Sequence, residues 1–324
     1  MLSYTGDGSS ELLSYTGRRV LATIPVMGVV AVVVFALLHL APGDPAAVIA
    51  GDQATVEEVA KVRAQLGLDR PLAVQFATWL GHIAIGDLGR SIYDGQPVTR
   101  MILQRVEPTI ALSLCTLLVA LSLAIPLGIL AAWKAGSWID RGVMGFAVLG
   151  FSFPVFVIGY GLIYLLSLKL EWLPVQGYAS PREGLGEFAA HMVMPALALG
   201  WVLTALFARM TRTSMLEVLS QDYIRTAHAK GLSSLQVLVG HALKNAAVPI
   251  VTTIGIGVAL LIGGVVVTET VFAIPGVGLL TVDAILRRDY PVIQGVVLVF
   301  SAVYVLINLA VDLSYGFLDP RIRY

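Results

Sequence analysis

Apolar residues fall in six long runs: Val20 to about Ala41, Pro108 to Trp133, Gly142 to Leu168, Met192 to Ala208, Ala246 to Thr268 and Pro291 to Val311. About 20 helical residues at about 1.5 Å each cover the roughly 30 Å hydrocarbon layer of a bilayer, and every run is close to or above that length. The pattern predicts an all-α integral membrane protein with six transmembrane helices. The first run is longer than the apolar core of a cleaved signal peptide and long enough to span, so it is read as an uncleaved helix with Pro25 near its start. Pro126, Pro154 and Pro195 are expected to kink or break the helices that contain them.

The polar segments divide the rest. Residues 1–17 form a polar tail in which Leu2-Ser3-Tyr4-Thr5-Gly6 recurs as Leu13-Ser14-Tyr15-Thr16-Gly17, and poor order is expected there. The first helix is placed at 18–41 and a mixed-charge loop or cap at 42–107. A five-helix core spans 108–315, and a short tail spans 316–324. Within the cap, Thr55 and Glu58 have capping-box spacing, predicting an amphipathic helix through about Gln65 that ends at Gly67. Gly67 to Pro71 and Gly86 to Ser91 read as turns.

Composition sharpens the class. Hydrophobic residues make up 57% and charged residues 13% of the chain, about half the charge of an ordinary soluble protein. The balance of 21 basic and 21 acidic residues argues against nucleic acid as a partner. Cys115 is the single cysteine and lies in an apolar run, which excludes an internal disulfide or thiolate cluster.

Orientation follows from lysine and arginine placement. With the N-terminus inside, the inner segments hold Arg18, Arg19, Lys134, Arg141, Arg209, Arg212, Arg225, Lys230, Lys244, Arg321 and Arg323. The short outer loops hold only Lys169, Arg182, Arg287 and Arg288. The positive-inside rule therefore places both termini in the cytoplasm and the 42–107 cap outside.

The segment at 221–236, on the inner side, stands out as polar and helix-forming. A helix is expected through Lys230, closed by Gly231 in the left-handed conformation, and Ser233 with Gln236 begins a second helix through another capping box. This helix, turn and helix could read DNA, but both flanks enter lipid. An ordinary connecting loop is the plainer alternative.

Several chemistries lack their motifs. No Gly-x4-Gly-Lys-Ser/Thr loop is present, so any ATP must be handled by a partner. His39, His82, His191, His228 and His241 never stand four residues apart and none precedes a glutamate, against a zinc helix. Gly150-Phe151-Ser152-Phe153-Pro154 resembles a nucleophile elbow but ends in proline, and Ser152 is read as packing or pore-lining. An ion-coupled secondary transporter normally carries ionisable residues at mid-membrane. Here only Glu269 and Asp312 qualify, both toward helix ends. A membrane-embedded hydrolase lacks a convergent nucleophile and base.

The residues of 221–236 resemble the EAA loop of ABC-importer permeases. Asp222-Tyr223-Ile224-Arg225-Thr226-Ala227, Ala229-Lys230-Gly231-Leu232 and His241-Ala242-Leu243-Lys244-Asn245-Ala246 with Pro249 are similar to the first-permease (B-type) subunit of the dipeptide/oligopeptide/nickel family. Arg225, Thr226 and Lys244 depart from the general EAA pattern as that branch does. Glu269-Thr270-Val271-Phe272-Ala273-Ile274-Pro275-Gly276-Val277-Gly278 and the loop after the first helix extend the likeness.

The resemblance implies a multi-pass subunit of the bacterial cytoplasmic (inner) membrane that transports by alternating access and is not itself an enzyme. Its implied partners are a second related permease, two ATP-binding-cassette ATPases that hold ATP and Mg, and an extracytoplasmic binding protein, with no cofactor in this subunit. It assigns ATPase coupling to Asp222, Tyr223, Arg225, Thr226, Ala227, Lys230, Gly231 and Leu232. The outer gate or pathway falls to Glu269, Phe272, Pro275, Gly276 and Gly278, with Glu269 expected to face the pore or the paired permease. Di- or oligopeptides are the implied cargo; nickel, haem, glutathione and sugars are alternatives.

Overall fold

The computed structural model describes residues 8–40, 44–51, 54–65 and 67–318. Among them regular structure is helical, apart from an isolated antiparallel bridge between Arg90 and Pro97. In chain order the helices are α1 (Gly8–Leu40), α2 (Pro45–Ala50), α3 (Val56–Gln65), α4 (Leu72–Ala84), α5 (Val98–Trp133), α6 (Trp138–Ser152) and α7 (Val155–Leu162). They continue as α8 (Leu185–Leu219), α9 (Asp222–Ala229), α10 (Leu243–Val271), α11 (Val277–Arg287) and α12 (Tyr290–Leu318). π-helical stretches extend α7 through Ile163–Lys169 and lead into α10 through Gln236–Ala242.

Among the described residues five helices are long and apolar enough to cross a bilayer, and a sixth span results if α6 and the α7 stretch are taken as one. The chain is thus a multi-pass membrane protein. The third apolar run is not a continuous helix, because its two halves meet at 102°. Pro154 is the cause: it starts α7, and Phe153 before it is extended (φ −105°, ψ 126°), as a residue preceding proline prefers. Pro126 and Pro195, by contrast, are absorbed inside α5 and α8.

Other boundaries move as well. Helix α1 begins at Gly8, within the segment read as a polar tail, while the first copy of the pentapeptide lies outside the described residues. Helix α5 begins at Val98, ten residues before the apolar run, so Pro108 marks a change of polarity rather than a helix start. The 42–107 region also contains the apolar α4, and α11 is a further short helix that periodicity does not separate from its turns.

The residues divide into two compact units. The first comprises Pro108–Leu279 with the described residues before Val20 and after Val305. Helix α8 is its hub, packed against α6, α7 and α10. Of its most apolar window 61% is buried, compared with 11% in α12, so α8 is enclosed by protein and α12 is left largely for other surroundings. Leu199, Leu203 and Phe207 of α8 meet Leu261 and Val265 of α10 in the core. Close approach is possible because Gly257 faces the Phe207 ring and Gly264 faces Leu199, where any Cβ would collide.

A polar tie joins α6 to α8. Ser137 caps α6, with its Oγ accepting from the Asp140 N–H at 3.4 Å, and the Gly136 N–H donates to Asp140 Oδ2 at 2.9 Å. The Arg212 guanidinium then grips the same carboxylate through both Nε and Nη2, the latter at 2.8 Å. Asp140 is 4% exposed, so this bidentate pair is shielded on the carboxylate side.

The second unit comprises Val20–Glu107 and Leu280–Val305. In it α1 packs on α4 through Phe35, which meets Phe76 edge-on at 5.2 Å and Trp79 at 5.6 Å. The expected capping box is present: the Thr55 N–H donates to Glu58 Oε2 at 2.7 Å and the Glu58 N–H to Thr55 Oγ1 at 3.3 Å. The Thr55 N–H, joined by the Thr55 hydroxyl at 3.0 Å from the same Oε2, holds the Glu58 carboxyl below its ordinary range. Gly67, at φ +66°, follows α3, and the Leu68 N–H reaches back to the Arg63 carbonyl at 3.0 Å. The turn at Gly86 to Ser91 is pinned by Asp289, whose carboxylate accepts from the Ser91 hydroxyl and from the Ile92 N–H at 3.2 Å.

Removing one partner of the Asp140–Arg212 pair leaves the other half-shielded without its counter-charge. Asp140→Asn should destabilise the protein by about 1–3 kcal/mol, read as a lower Tm in detergent. Arg212→Gln should add little in the Asp140→Asn background. Additive losses to within about 0.5 kcal/mol would show the pair uncoupled.

Candidate functional site

Helix α9 is anchored on one side and free on the other. Ile224 (3% exposed) and Ala227 (6%) enter a small core with Met215, Val237, Leu238 and Ala242, while Asp222, Tyr223, Arg225, Thr226, His228 and Lys230 face outward. The three-residue step between Ile224 and Ala227 is the helical repeat that keeps both on one face. The Arg225 Nη1 to Asp222 Oδ1 contact, at 3.2 Å, is fully solvated and adds little stability.

The turn after α9 takes the expected form. The Gly231 N–H donates to the His228 carbonyl at 2.9 Å and the Leu232 N–H to the Ala227 carbonyl at 3.4 Å, the paired bonds of a Schellman closure. Gly231 has φ +83° with nothing within 4 Å of the place a methyl would take, so its requirement is conformational and not steric. The Ser233 N–H then donates to Gln236 Oε1 at 2.9 Å and the Gln236 N–H to Ser233 Oγ at 3.4 Å, completing the second capping box.

Two of the eight residues expected to form the coupling surface turn inward. Ala227 is buried and Leu232 is half-buried beside it, so these two hold α9 in place from below. Conversely, Leu235 (72% exposed) and Val239 (48%) present apolar side chains to the outside and were not singled out from the sequence. Their four-residue spacing, out of phase with Val237 and Leu238, was the available signal.

Of the residues expected at the outer gate, Gly276 and Gly278 lie against the buried carboxylate of Glu269. Glu269 is 0% exposed within this chain, which corrects the expectation that it faces a pore or a paired subunit. The Thr109 hydroxyl donates to Oε1 at 2.6 Å and the Leu279 N–H to Oε2 at 2.9 Å. Thr109 Oγ1 in turn accepts from the Val277 N–H at 2.8 Å. The chain after α10 has wrapped around its own glutamate because that carboxylate supplies acceptors for a loop that otherwise lacks them. Gly276 and Gly278 are part of the wrap: a Cβ on Gly276 would overlap the carboxylate, and one on Gly278 would stand 2.7 Å from Val266 Cα. Phe272 is buried at 2%, and its carbonyl accepts from the Gly177 N–H at 2.9 Å, whereas Pro275 is exposed. The second carboxylate singled out in the spans, Asp312, is paired with Arg19 at 2.9 Å.

The family described as "Binding-protein-dependent transport system inner membrane component" matches residues 124–324, and its N-terminal companion matches residues 12–113. A probable peptide ABC transporter permease protein, y4tP of Sinorhizobium fredii, is 53% identical over 310 residues, covering 96% of this chain and 99% of that protein. The glutathione transport system permease protein GsiC of Salmonella choleraesuis is 44% identical, covering 97% and 100%. A putative peptide transport system permease protein of Brucella abortus, BAB2_1050, is 45% identical, covering 95% and 98%. Among solved structures, a chain of the MetNI methionine ABC transporter in an inward-facing conformation aligns with a TM-score of 0.57 at 18% identity, over 68% of this chain and 96% of that one, a likeness of fold. The chain therefore belongs to the family of inner-membrane components of binding-protein-dependent transport systems, the permease subunits of ABC importers.

Proposed function

We propose that the chain forms half of the membrane pathway of an ATP-driven peptide importer and that the outward face of α9 is where ATPase motion enters it. The observation that carries this is the construction of α9: a short helix anchored by Ile224 and Ala227, closed by Gly231, and presenting Asp222, Tyr223, Arg225, Thr226 and Lys230. A lever of this kind passes displacement to α10 through the π-helical segment Gln236–Ala242, against which α9 packs. The partners in this reading are a second related permease, two ATPases that bind ATP and Mg, and an extracytoplasmic binding protein. The positive-inside bias puts both termini and α9 in the cytoplasm and the 42–107 cap outside. Peptides as cargo, glutathione included, rest on what the relatives' names say of them. An ion-coupled carrier is disfavoured because Glu269 is held by Thr109 and Leu279 and Asp312 by Arg19.

The reading is tested in proteoliposomes containing the four membrane-associated subunits and the binding protein, with trialanine and glutathione as first cargoes. ATP-dependent uptake of either is expected. Uptake that instead follows an imposed proton or sodium gradient without ATP would refute the importer assignment.

Gly231→Val places a β-branched residue at φ +83°, at a cost of roughly 1–2 kcal/mol. It should reach the membrane at normal levels yet lose binding-protein-stimulated ATP hydrolysis, and Gly231→Asn, which tolerates the left-handed region, should keep more of it. Wild-type coupling in the valine variant would remove α9 from the energy path.

The isolated chain should hydrolyse no ATP, with turnover appearing only when the ATPases are added. A vanadate-sensitive activity in the pure subunit would overturn the division of labour.

Glu269→Gln keeps both contacts only with its amide oxygen toward the Leu279 N–H and its NH2 toward Thr109, whose hydroxyl must then accept instead of donate, and it loses the charge-assisted bonds at a cost of about 1 kcal/mol. The variant, like Gly276→Ala, should lower Tm and transport together. A change in the KM for cargo at unchanged Tm would instead show Glu269 touching the cargo.

A further inference from the structure

A cavity of about 450 Å³ in the first unit is lined by Met144, Ala147, Val148, Phe151 and Ser152 of α6 and by Arg209 of α8. Its size lies within the roughly 300–1,000 Å³ usual for small-molecule sites. Two features at its wall favour water over lipid tails. The first is Arg209 itself, an exposed guanidinium for which no acidic partner exists among the described residues. It stands one turn away along α8 from Arg212, which Asp140 neutralises near the start of α6. Arg209 lies against the later part of α6, beyond the α5–α6 turn that carries Trp133, Lys134, Trp138 and Arg141. An arginine at depth is held by a partner or by water.

The second feature is the break at Phe153-Pro154. Ser152, Phe153 and Pro154 are exposed, the backbone leaves the helix at Phe153 and Pro154 directly after Ser152, and the first N–H groups of α7 receive no side-chain cap. Non-helical backbone within a membrane is found where protein buries it or where it lines a water-filled space, and here it is exposed. The cavity is bounded by Arg209 and by Ser152, the last helical residue before the break. The remaining lining is apolar. A ligand matched to this surface carries one anionic group for Arg209 and an apolar body for Met144, Val148 and Phe151.

We propose that this cleft is a hydrated cargo subsite on the transport pathway, in which the Arg209 guanidinium receives the terminal carboxylate of a peptide while the α6 face from Met144 to Ser152 holds its body. The inference rests on the peptide reading above for the identity of the cargo. A planar, permanently charged guanidinium suits a carboxylate through two parallel hydrogen bonds, and its single charge beside apolar neighbours permits release. The alternative anion is a lipid phosphate, which would place the same cleft at the bilayer surface.

The test uses the complete transporter with Cys115→Ser as background, carrying Ser152→Cys or Val148→Cys. A negatively charged, membrane-impermeant methanethiosulfonate applied to opened vesicles should label both positions, and the peptide shown to be imported should slow that labelling severalfold. Arg209→Gln should raise the KM for import by roughly tenfold or more at saturating binding protein, as expected for losing a charged hydrogen-bond partner. Arg209→Lys should recover part of the loss, and a C-terminally amidated peptide should be indifferent to the substitution. Labelling only by a lipid-soluble maleimide would assign the cleft to lipid and Arg209 to phosphate headgroups, overturning the proposal. Aqueous labelling without cargo protection, together with a wild-type KM in Arg209→Gln, would overturn it equally. Failure of the unmodified complex to import any peptide would refute the cargo assignment and is distinguished from failure of the cleft by the labelling pattern.

Discussion

A charge carried on a membrane-spanning helix has to be paired, enclosed or hydrated, and the organisation of this chain follows from how its few such charges are treated. Asp140 and Arg212 are paired, and the pair ties α6 to the central helix. Arg19 of α1 and Asp312 of α12 are paired as well. Glu269 is enclosed by backbone and hydroxyl donors from its own chain. Arg209, one turn along α8 from a neutralised arginine, is exposed at the wall of the α6–α8 cavity, where the proposed cargo carboxylate would meet it.

The same constraint applies to the backbone. Long helices satisfy their own polar groups and need no help. Where a helix stops at depth something else must supply the partners, and each stop in the first unit is supplied differently. After α10 the Glu269 carboxylate and the Thr109 hydroxyl take the loop N–H groups, and the glycines at 276 and 278 let the chain come close enough to be held. At the Phe153-Pro154 break the backbone is exposed beside the Arg209 cavity. A transporter needs both kinds of stop, since rigid loops and wet clefts are the parts that a moving helix pair closes and opens.

Motion can be imposed on such a bundle only from a surface that is attached to it without being buried in it. Helix α9 meets this requirement with two inward side chains, Ile224 and Ala227, and a rigid closure at Gly231. The exposed Tyr223, Leu235 and Val239 add apolar area next to the charged residues, the composition of a surface that meets another protein.

What the sequence determined by itself was local. Spanning length and polarity are additive along the chain, so the membrane class and most helices could be read directly. Capping boxes at Thr55 and Ser233 and the closures at Gly67 and Gly231 depend on residues within about five positions, and all four are present. Tertiary structure alone decided whatever joins distant positions. Glu269 meets Thr109 across 160 residues, Asp289 meets Ser91 across 198, and Arg212 meets Asp140 across 72. Periodicity carries no information about such partners, which is why Glu269 read as a pathway residue although it is enclosed. The prolines show the same division: Pro126, Pro154 and Pro195 look alike in apolar runs, yet only Pro154 breaks its helix outright. A proline removes one hydrogen bond wherever it stands, and whether the helix bends or breaks there depends on what the neighbouring helices pack against.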